Sequence, residues 1–235
     1  KNVRFSLARE AGLTEDKASM INADALKNDL PNQWLSILAF TDHFILTPGP
    51  LPKEMKANLI KSYTETELTE IALGLGLFHG FSKMLIALGR EPDDMATTVI
   101  PTPTAPSTDL DIEITKGHPV ANLLAPTNKL RNYWLYLEES LWSMDSYPTN
   151  ELRYIRFHLV NLFKLNSEYR DFYRIEGSSD TSKSIADQFV YDVRSITVRQ
   201  REGIINDFGS EGLLNVMICL AIYDGIFRVA AVMES

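Results

Sequence analysis

The chain has 235 residues, of which 45% are hydrophobic and 23% are charged, a composition ordinary for a folded globular protein. Its formal net charge of −8 argues against a general nucleic-acid-binding protein, because binding to phosphates requires clustered lysine and arginine. No apolar run approaches the roughly 18 residues needed to cross a membrane, since glycines interrupt the longest one at 71–81. The single cysteine, Cys219, cannot form an internal disulfide, which favours a reducing, cytoplasmic location.

The first part of the chain has the pattern of successive helices. We predict them over residues 2–11, 14–27, 33–47, 52–63 and 64–88. The third carries apolar side chains at the 3.6-residue period and ends at a Pro-Gly-Pro sequence. The fifth begins with Thr-Glu-Thr-Glu, which is typical of a capped helix start, and ends at Gly89.

Residues 92–126 contain six prolines, which predicts a linker with little regular structure. Beyond it we predict helices over residues 127–144, 149–165, 167–176, 181–195, 198–207 and 210–233. Residues 109–115 alternate between polar and apolar side chains, but they are isolated among prolines, so we predict no strand pair. The pattern as a whole indicates an all-α protein.

An internal repeat at an offset of 145 residues is the most informative feature of the sequence. The alignment needs no gap from about residue 37 to 89, and it pairs Asp42 with Asp187, Gly80 with Gly225, and Lys83 with Arg228. Unrelated amphipathic helices share a period by chance, but they are not expected to share such residues at one fixed offset. We therefore predict two helical units related by a pseudo-two-fold axis.

The repeat divides the chain into three parts. The first repeat covers residues 1–91, the proline-rich linker 92–126 and the second repeat 127–235. The first repeat is predicted to be N-terminally incomplete, because it lacks a counterpart of the helix that opens with Glu151 in the second.

Two segments carry a family resemblance. AFTDHFILTPGPLP and YTETELTEIALGLGLFHGFSKMLIALGREP resemble the C-terminal half of an alkylhydroperoxidase D-like, or carboxymuconolactone decarboxylase, domain. NVRFSLAREAGL at the start resembles the stretch that follows the family's CxxC motif. The resemblance implies two copies of this helical unit, and a homo-oligomer in which long helices pack between subunits.

The family's redox chemistry, by the same resemblance, depends on a glutamate, eleven residues and then Cys-x-x-Cys-x-x-x-His. A thiolate attacks the peroxide and the second thiol closes a disulfide. In the second copy this pattern falls on Glu151, Phe163, Asn166 and Arg170, so the glutamate is kept and both thiols are lost. In the first copy the reactive cysteine would immediately precede Lys1, so a peroxidase requires a CxxC upstream of that residue.

Four side chains are candidates for cysteine-free acid–base catalysis: His79, Glu151, His158 and Asp224. Glu151 and His158 share a helix face, where they are suited to proton transfer if a pocket adjoins them. Their alternative roles are a favourable helix-dipole interaction for Glu151 and a core-edge hydrogen bond for His158. His79 aligns with Asp224, and the two either face a shared cavity or interact across the repeat interface.

Two classes of function remain open. The first is an enzyme, either a cofactor-free decarboxylase or isomerase acting on a small organic acid, or a thiol peroxidase if a CxxC precedes Lys1. The second is a non-catalytic ligand-binding or assembly protein on the same scaffold. No metal-ligand spacing and no glycine-rich phosphate loop is present, so we expect no metal or cofactor, and neither nucleic acid nor membrane as a partner.

Overall fold

The computed structural model describes residues 3–21, 30–91, 98–102, 110–142 and 149–233, which are mostly helical. The elements are β1 (Val3–Phe5), α1 (Ser6–Glu10), α2 (Glu15–Met20), α3 (Asn32–Leu46), α4 (Lys53–Ser62), α5 (Glu65–Ala87), β2 (Thr98–Ile100), α6 (Pro119–Leu123), α7 (Asn128–Trp142), α8 (Thr149–Leu162), α9 (Ser167–Phe172), α10 (Asp180–Tyr191), a short 3₁₀-helix (Val193–Ser195) and α11 (Val198–Met233). The predominantly helical fold is therefore confirmed. The predicted helix at 14–27 is seen as α2, and residues 22–29 lie outside the described part.

Two short strands depart from the helical prediction. β1 pairs in parallel with β2, and Val3 lies opposite Thr98. Next to this pair, the Leu7 backbone amide donates to the Thr102 hydroxyl at 2.9 Å. The expectation of no strand pair was wrong here, because strands of three residues are too short to show a period of two in the sequence. β2 and α6 both lie within the segment predicted to have little regular structure.

The ends of the long helices follow the local sequence. Thr64 and Glu67 form a reciprocal capping box at the start of α5, and Gly89 follows its end with a φ of 70°. In α11, Gly209 has a φ of 73° and interrupts the helical conformation. α11 therefore consists of two segments, as the sequence predicted. Glycine adopts this positive-φ conformation without a steric penalty because it has no Cβ atom.

α5 and α11 form the centre of the fold and pack against each other in antiparallel orientation. A Cβ atom on Gly76 would lie 2.7 Å from the Gly225 carbonyl oxygen, and one on Gly80 would lie 2.1 Å from the Ala221 carbonyl oxygen. Only glycine permits such close approach of two backbones. α8 packs on another side of α11, so the C-terminal segment of α11 is almost wholly buried.

Both long helices have the length and composition of a membrane span. The sequence analysis expected no membrane span because glycines interrupt the apolar runs. These glycines do not lower the mean hydropathy of the two helices below that of a membrane span. In α11, 89% of the most apolar 18-residue window is buried inside the protein, as in the core helix of a soluble protein. In α5 the buried share is 33%, so one side of this helix remains uncovered.

Candidate functional site

Asp224 is fully buried between α5 and α11 and is surrounded by basic side chains. Its carboxylate accepts from Lys83 Nζ at 3.1 Å and from Arg228 Nε at 3.2 Å, and His79 Nε2 lies 3.8 Å away. The structure thus brings together two of the predicted site residues. We call these four residues the Asp224 cluster.

The two cations of the Asp224 cluster also bind backbone carbonyl groups at the ends of other helices. Lys83 Nζ donates to the Val190 carbonyl at 3.4 Å, and Arg228 Nη1 donates to the Ile45 carbonyl at 3.1 Å. Buried charges are tolerated when ion pairs and hydrogen bonds compensate for the loss of water. The cluster therefore fastens the ends of α3 and α10 to the central helix pair.

Burial governs the protonation states in the Asp224 cluster. It lowers the pKa of His79 to about 4, although the negative charge of Asp224 opposes this shift. Burial likewise lowers the pKa of Lys83 to about 8, again against the influence of Asp224. His79 is therefore neutral at pH 7. Asp224 is fully buried, and neither His79 nor Asp224 lines the clefts of about 640 Å³ and 610 Å³ in the described part of the chain.

Glu151 and His158 lie on α8, away from the Asp224 cluster, and each contacts α10. The Ser182 hydroxyl donates to the Glu151 carboxylate, and His158 Nε2 lies 2.8 Å from Asp187 Oδ1. Both contacts join α8 to α10. The structure therefore places Glu151 and His158 at a helix–helix contact, apart from the other two predicted residues.

The structure also places the single cysteine and the two residues that align with the family's cysteines. Cys219 is fully buried, and burial raises the pKa of its thiol to about 12. A thiolate is the reactive form of cysteine, so Cys219 is unsuited to peroxide chemistry at neutral pH. Phe163 and Asn166, which align with the family's two cysteines, both line a cleft of about 640 Å³ beside the 47–50 loop.

A second buried carboxylate, which the sequence analysis did not single out, belongs to Glu138 on α7. Its Oε1 accepts from the Tyr223 hydroxyl at 2.5 Å, and its Oε2 lies 2.9 Å from His118 Nε2. His118 Nδ1 accepts from the Ala121 backbone amide at the start of α6. This assigns the ring proton to Nε2, so His118 donates to Glu138.

Arg156 supplies the positive charge of this second site. Its Nη1 lies 3.1 Å from the Tyr223 hydroxyl and 3.7 Å from Glu138 Oε1. The guanidinium carbon lies 4.4 Å from the ring centres of both Trp142 and Tyr173. Cation–π contacts of this kind hold the guanidinium in a defined plane.

The interactions of Glu138 define its charge. Burial by itself raises its pKa, but hydrogen bonds from His118 and Tyr223 and the charge of Arg156 outweigh burial and lower it. Burial and the nearby Glu138 charge raise the pKa of Tyr223 well above its ordinary value. At neutral pH the site therefore holds a carboxylate, a protonated phenol and a guanidinium cation.

These residues adjoin a cleft of about 610 Å³, large enough for a small organic molecule. It is lined by Leu110, Asp111, Ile112, Glu113, Thr115, His118, Leu135, Tyr136, Glu138, Glu139, Trp142, Arg156 and Phe172. We call it the Glu138 cleft. A molecule bound in this cleft would have a buried carboxylate, a guanidinium cation and aromatic rings within the same small volume, and the guanidinium could stabilise a negative charge on it.

One signal in the sequence could have identified Glu138. Trp134, Glu138 and Leu141 are spaced by four and three residues, and all three are buried in α7. A charged residue within an apolar helical stripe requires a partner, because burial of an unpaired charge is costly. The partners come from the residue that caps the start of α6, from α8 and from α11, so their identity depended on the tertiary fold.

Comparisons with known proteins were made by family model, by sequence and by structure. No family model, no curated protein and no solved structure matches the chain. Within the described residues, no group of three or more His, Cys, Asp or Glu side chains is arranged to hold a metal ion.

Proposed function

We propose that the chain is a two-copy member of the alkylhydroperoxidase D-like, or carboxymuconolactone decarboxylase, family, with its copies related by a pseudo-two-fold axis. The central helix contacts support the symmetry. Gly76 packs on Gly225, and Gly80 packs on Ala221. At the 145-residue offset, Ala221 is the counterpart of Gly76 and Gly225 that of Gly80. The first position of each copy (Gly76 or Ala221) therefore contacts the second position of the other copy (Gly225 or Gly80). A two-fold axis produces this reciprocal contact pattern.

The basic residues supply a second exchanged pair. Lys83 donates to the carbonyl of Val190, and Arg228 donates to the carbonyl of Ile45. Arg228 is the counterpart of Lys83, and Val190 is the counterpart of Ile45. The helices correspond as well, since α3, α4 and α5 match α10 and the two segments of α11 in order.

For the activity, we propose a cofactor-free enzyme that acts on a small organic molecule by acid–base catalysis in the Glu138 cleft. The observation that carries this proposal is a buried, ionised carboxylate that adjoins both a guanidinium group and a cleft of substrate size. Glu138 would accept a proton from a carbon next to a carbonyl or carboxyl group. Arg156 would stabilise the negative charge that develops on the substrate, while His118 and Tyr223 hold the carboxylate in place.

Proton abstraction can be tested before the complete reaction is known. The protein is incubated in D₂O with a panel of small oxo acids and lactones, and exchange of carbon-bound hydrogen for deuterium is followed by NMR. We expect exchange with at least one compound and a loss of about 100-fold or more in Glu138→Gln, as is typical for removal of a catalytic base.

Glu151→Gln is the matched control, because that carboxylate contacts Ser182 and does not line the Glu138 cleft. It should exchange at the wild-type rate. Absence of exchange across the whole panel, or full exchange in Glu138→Gln, would contradict the proposed activity.

The proposal also covers the location of the protein, its oligomeric state and its partners. We propose a cytoplasmic protein that does not bind nucleic acid; the single free cysteine supports the location, and the net charge of −8 supports the lack of nucleic-acid binding. A homo-oligomeric state and the absence of membrane binding are carried over from the sequence analysis as expectations. Thiol peroxidase activity would require a CxxC upstream of Lys1, and no observation on the described residues favours it.

A further inference from the structure

The Glu138 cleft is rich in negative charge. Four of the thirteen residues that line it are acidic, against 31 of 235 in the whole chain, so carboxylates are more than twice as frequent in this cleft as in the chain. These four residues are Asp111, Glu113, Glu138 and Glu139. His118 accepts a hydrogen bond at Nδ1 and is therefore neutral, and Arg156 supplies one positive charge, so the lining has a net charge of −3.

The four carboxylates differ in their exposure to solvent. Glu138 is 6% exposed, whereas the other three are exposed at the opening of the cleft. We call Asp111, Glu113 and Glu139 the acidic mouth. Within the described part of the chain, no cationic side chain forms an ion pair with the acidic mouth. Its negative charge is therefore available to a molecule that enters the cleft.

Two residues of the acidic mouth belong to the segment that alternates between polar and apolar side chains. Its apolar members Leu110 and Ile112 are partly buried, and Asn132 of α7 donates to the Leu110 carbonyl at 2.8 Å. These contacts hold the segment against the body of the protein. The alternation then leaves Asp111 and Glu113 exposed, so the position of their charge beside the cleft follows from how this segment packs.

Aromatic rings line the same cleft. Tyr136 is 54% exposed and Phe172 is 37% exposed, while Trp142 is partly buried. The face of an aromatic ring attracts a cation, and the ring also covers the apolar part of a ligand. Carboxylates next to aromatic rings are therefore suited to bind an ammonium group that is attached to a small apolar body.

An organic cation suits this arrangement better than a metal ion. A metal ion requires several ligands that converge on one point. In the part of the chain that the structure describes, no three His, Cys, Asp or Glu side chains converge in this way. A cleft that is lined by one sign of charge nevertheless concentrates small molecules of the opposite charge, because its low-dielectric walls focus the electric field.

We infer that the Glu138 cleft selects a positively charged ligand, and that the substrate of the proposed activity is a small carbonyl compound that carries an ammonium group. The second part rests on the function proposed for this cleft. The ammonium group binds at the acidic mouth, and the carbonyl oxygen lies next to Arg156. The acidic mouth repels small organic acids of the kind that the family resemblance implied.

The chemical step is a proton transfer. The C–H bond next to the carbonyl breaks, its proton moves to the Glu138 carboxylate, and its electron pair forms an enolate whose oxygen Arg156 stabilises. Return of a deuteron from D₂O to the same carbon completes the exchange. No oxidant, reductant or further reactant is required.

Charge selection is measured with three methyl ketones of matched chain length, which end in a trimethylammonium, a methoxy or a carboxylate group. NMR titration at low ionic strength gives the dissociation constant of each ketone. We expect the cationic ketone to bind about ten-fold more tightly than the neutral one, since partly solvated charge pairs and a cation–π contact add modest energies. The anionic ketone should bind more weakly than the neutral one, and added salt should reduce the preference for the cation.

The role of the acidic mouth is tested by neutralising its three residues together with Asp111→Asn, Glu113→Gln and Glu139→Gln. All three side chains are exposed, so this variant should fold, which its thermal unfolding midpoint verifies. We expect the ratio of the affinities for the cationic and the neutral ketone to fall to about one, because the charges that cause the preference are removed.

A matched control separates the local effect from a change in net charge. Glu54→Gln, Asp207→Asn and Glu211→Gln remove the same number of carboxylates, all of them exposed and none of them lining the cleft. This variant should keep the preference for the cationic ketone. If it loses the preference as fully as the variant of the acidic mouth, the overall charge of the protein causes the selection and the inference fails.

Deuterium exchange into the same ketones separates this inference from the proposed activity. Enzymatic exchange that is fastest with the cationic ketone and lost in Glu138→Gln supports both. Selective binding of the cation without exchange in any ketone contradicts the proposed activity and supports the charge selection. Failure of the cationic ketone to bind, equal affinities for the three ketones, or enzymatic exchange that is as fast with the anionic ketone as with the cationic one overturns the inference.

Discussion

Two buried carboxylates in this protein share a similar environment and differ in access. Asp224 and Glu138 are 0% and 6% exposed, and each lies near a histidine and an arginine. Asp224 is sealed between two long helices, and its cations also bind backbone carbonyls. Glu138 adjoins a cleft of about 610 Å³. A buried, ion-paired carboxylate is therefore a candidate for catalysis when a substrate can reach it, and otherwise it stabilises the fold.

The largest expected effect comes from removing the charge of Asp224. Asp224→Ala leaves Lys83 and Arg228 buried without their carboxylate, and breaking a buried pair in this way typically costs about 3–5 kcal/mol. Urea unfolding measures the loss. Asp187→Ala serves as the control, because the Asp187 side chain is 49% exposed and its removal should cost less than about 1 kcal/mol. Equal losses in the two variants would remove the structural role assigned to Asp224.

Tyr223→Phe tests the other carboxylate. Without the hydroxyl, Glu138 loses one hydrogen-bond donor, which we expect to cost about 1–3 kcal/mol of stability. The lost hydrogen bond also raises the pKa of Glu138, so the acidic limb of the pH profile for hydrogen exchange should move to higher pH. Tyr191→Phe is the control, since Tyr191 is 72% exposed. An unmoved pH profile would separate Tyr223 from the proposed chemistry.

The protonation of His79 predicts a dependence of stability on pH. Its folded pKa of about 4 lies below the ordinary value of 6.5, so the unfolded chain binds more protons between these values. Stability should therefore be retained above pH 6.5 and decline as the pH falls towards 4. The shift corresponds to at most about 3 kcal/mol, which solvent screening reduces to roughly 1–2 kcal/mol.

Chemical denaturation at a series of pH values measures this decline, and His79→Gln should lessen it. His43→Gln is the control, because His43 makes only a part-buried contact with the Gly49 carbonyl. If His79→Gln declines as steeply as the wild type, another group causes the acid sensitivity.

The smallest effect is expected at His158. Its contact with Asp187 is partly exposed, so His158→Gln should reduce stability by less than about 1 kcal/mol. Because His158 does not line the Glu138 cleft, hydrogen exchange should continue at the wild-type rate. A variant that folds normally and loses exchange would return His158 to the list of catalytic candidates.

Local signals in the sequence predicted much of the secondary structure. The capping box at Thr64, the break at Gly209 and the proline-ended α3 all appear where expected, because each depends on residues close in the chain. The β1–β2 pair was missed, since it joins two three-residue segments far apart in sequence. The 145-residue offset aligned His79 with Asp224 in the sequence and left open whether they share a cavity or interact, whereas the partners of Glu138 occur at no regular spacing in the sequence.

The sequence by itself determined the helical character of the chain, its boundaries at glycine and proline, and the positions that repeat at a fixed offset. These properties depend on local conformational preference and on the period of apolar residues. Only the tertiary structure decided which buried charges adjoin a cleft and which side of α5 remains open. Access and coverage depend on how separate helices pack, so Asp224 and Glu138, both acidic residues on helices, acquire different roles.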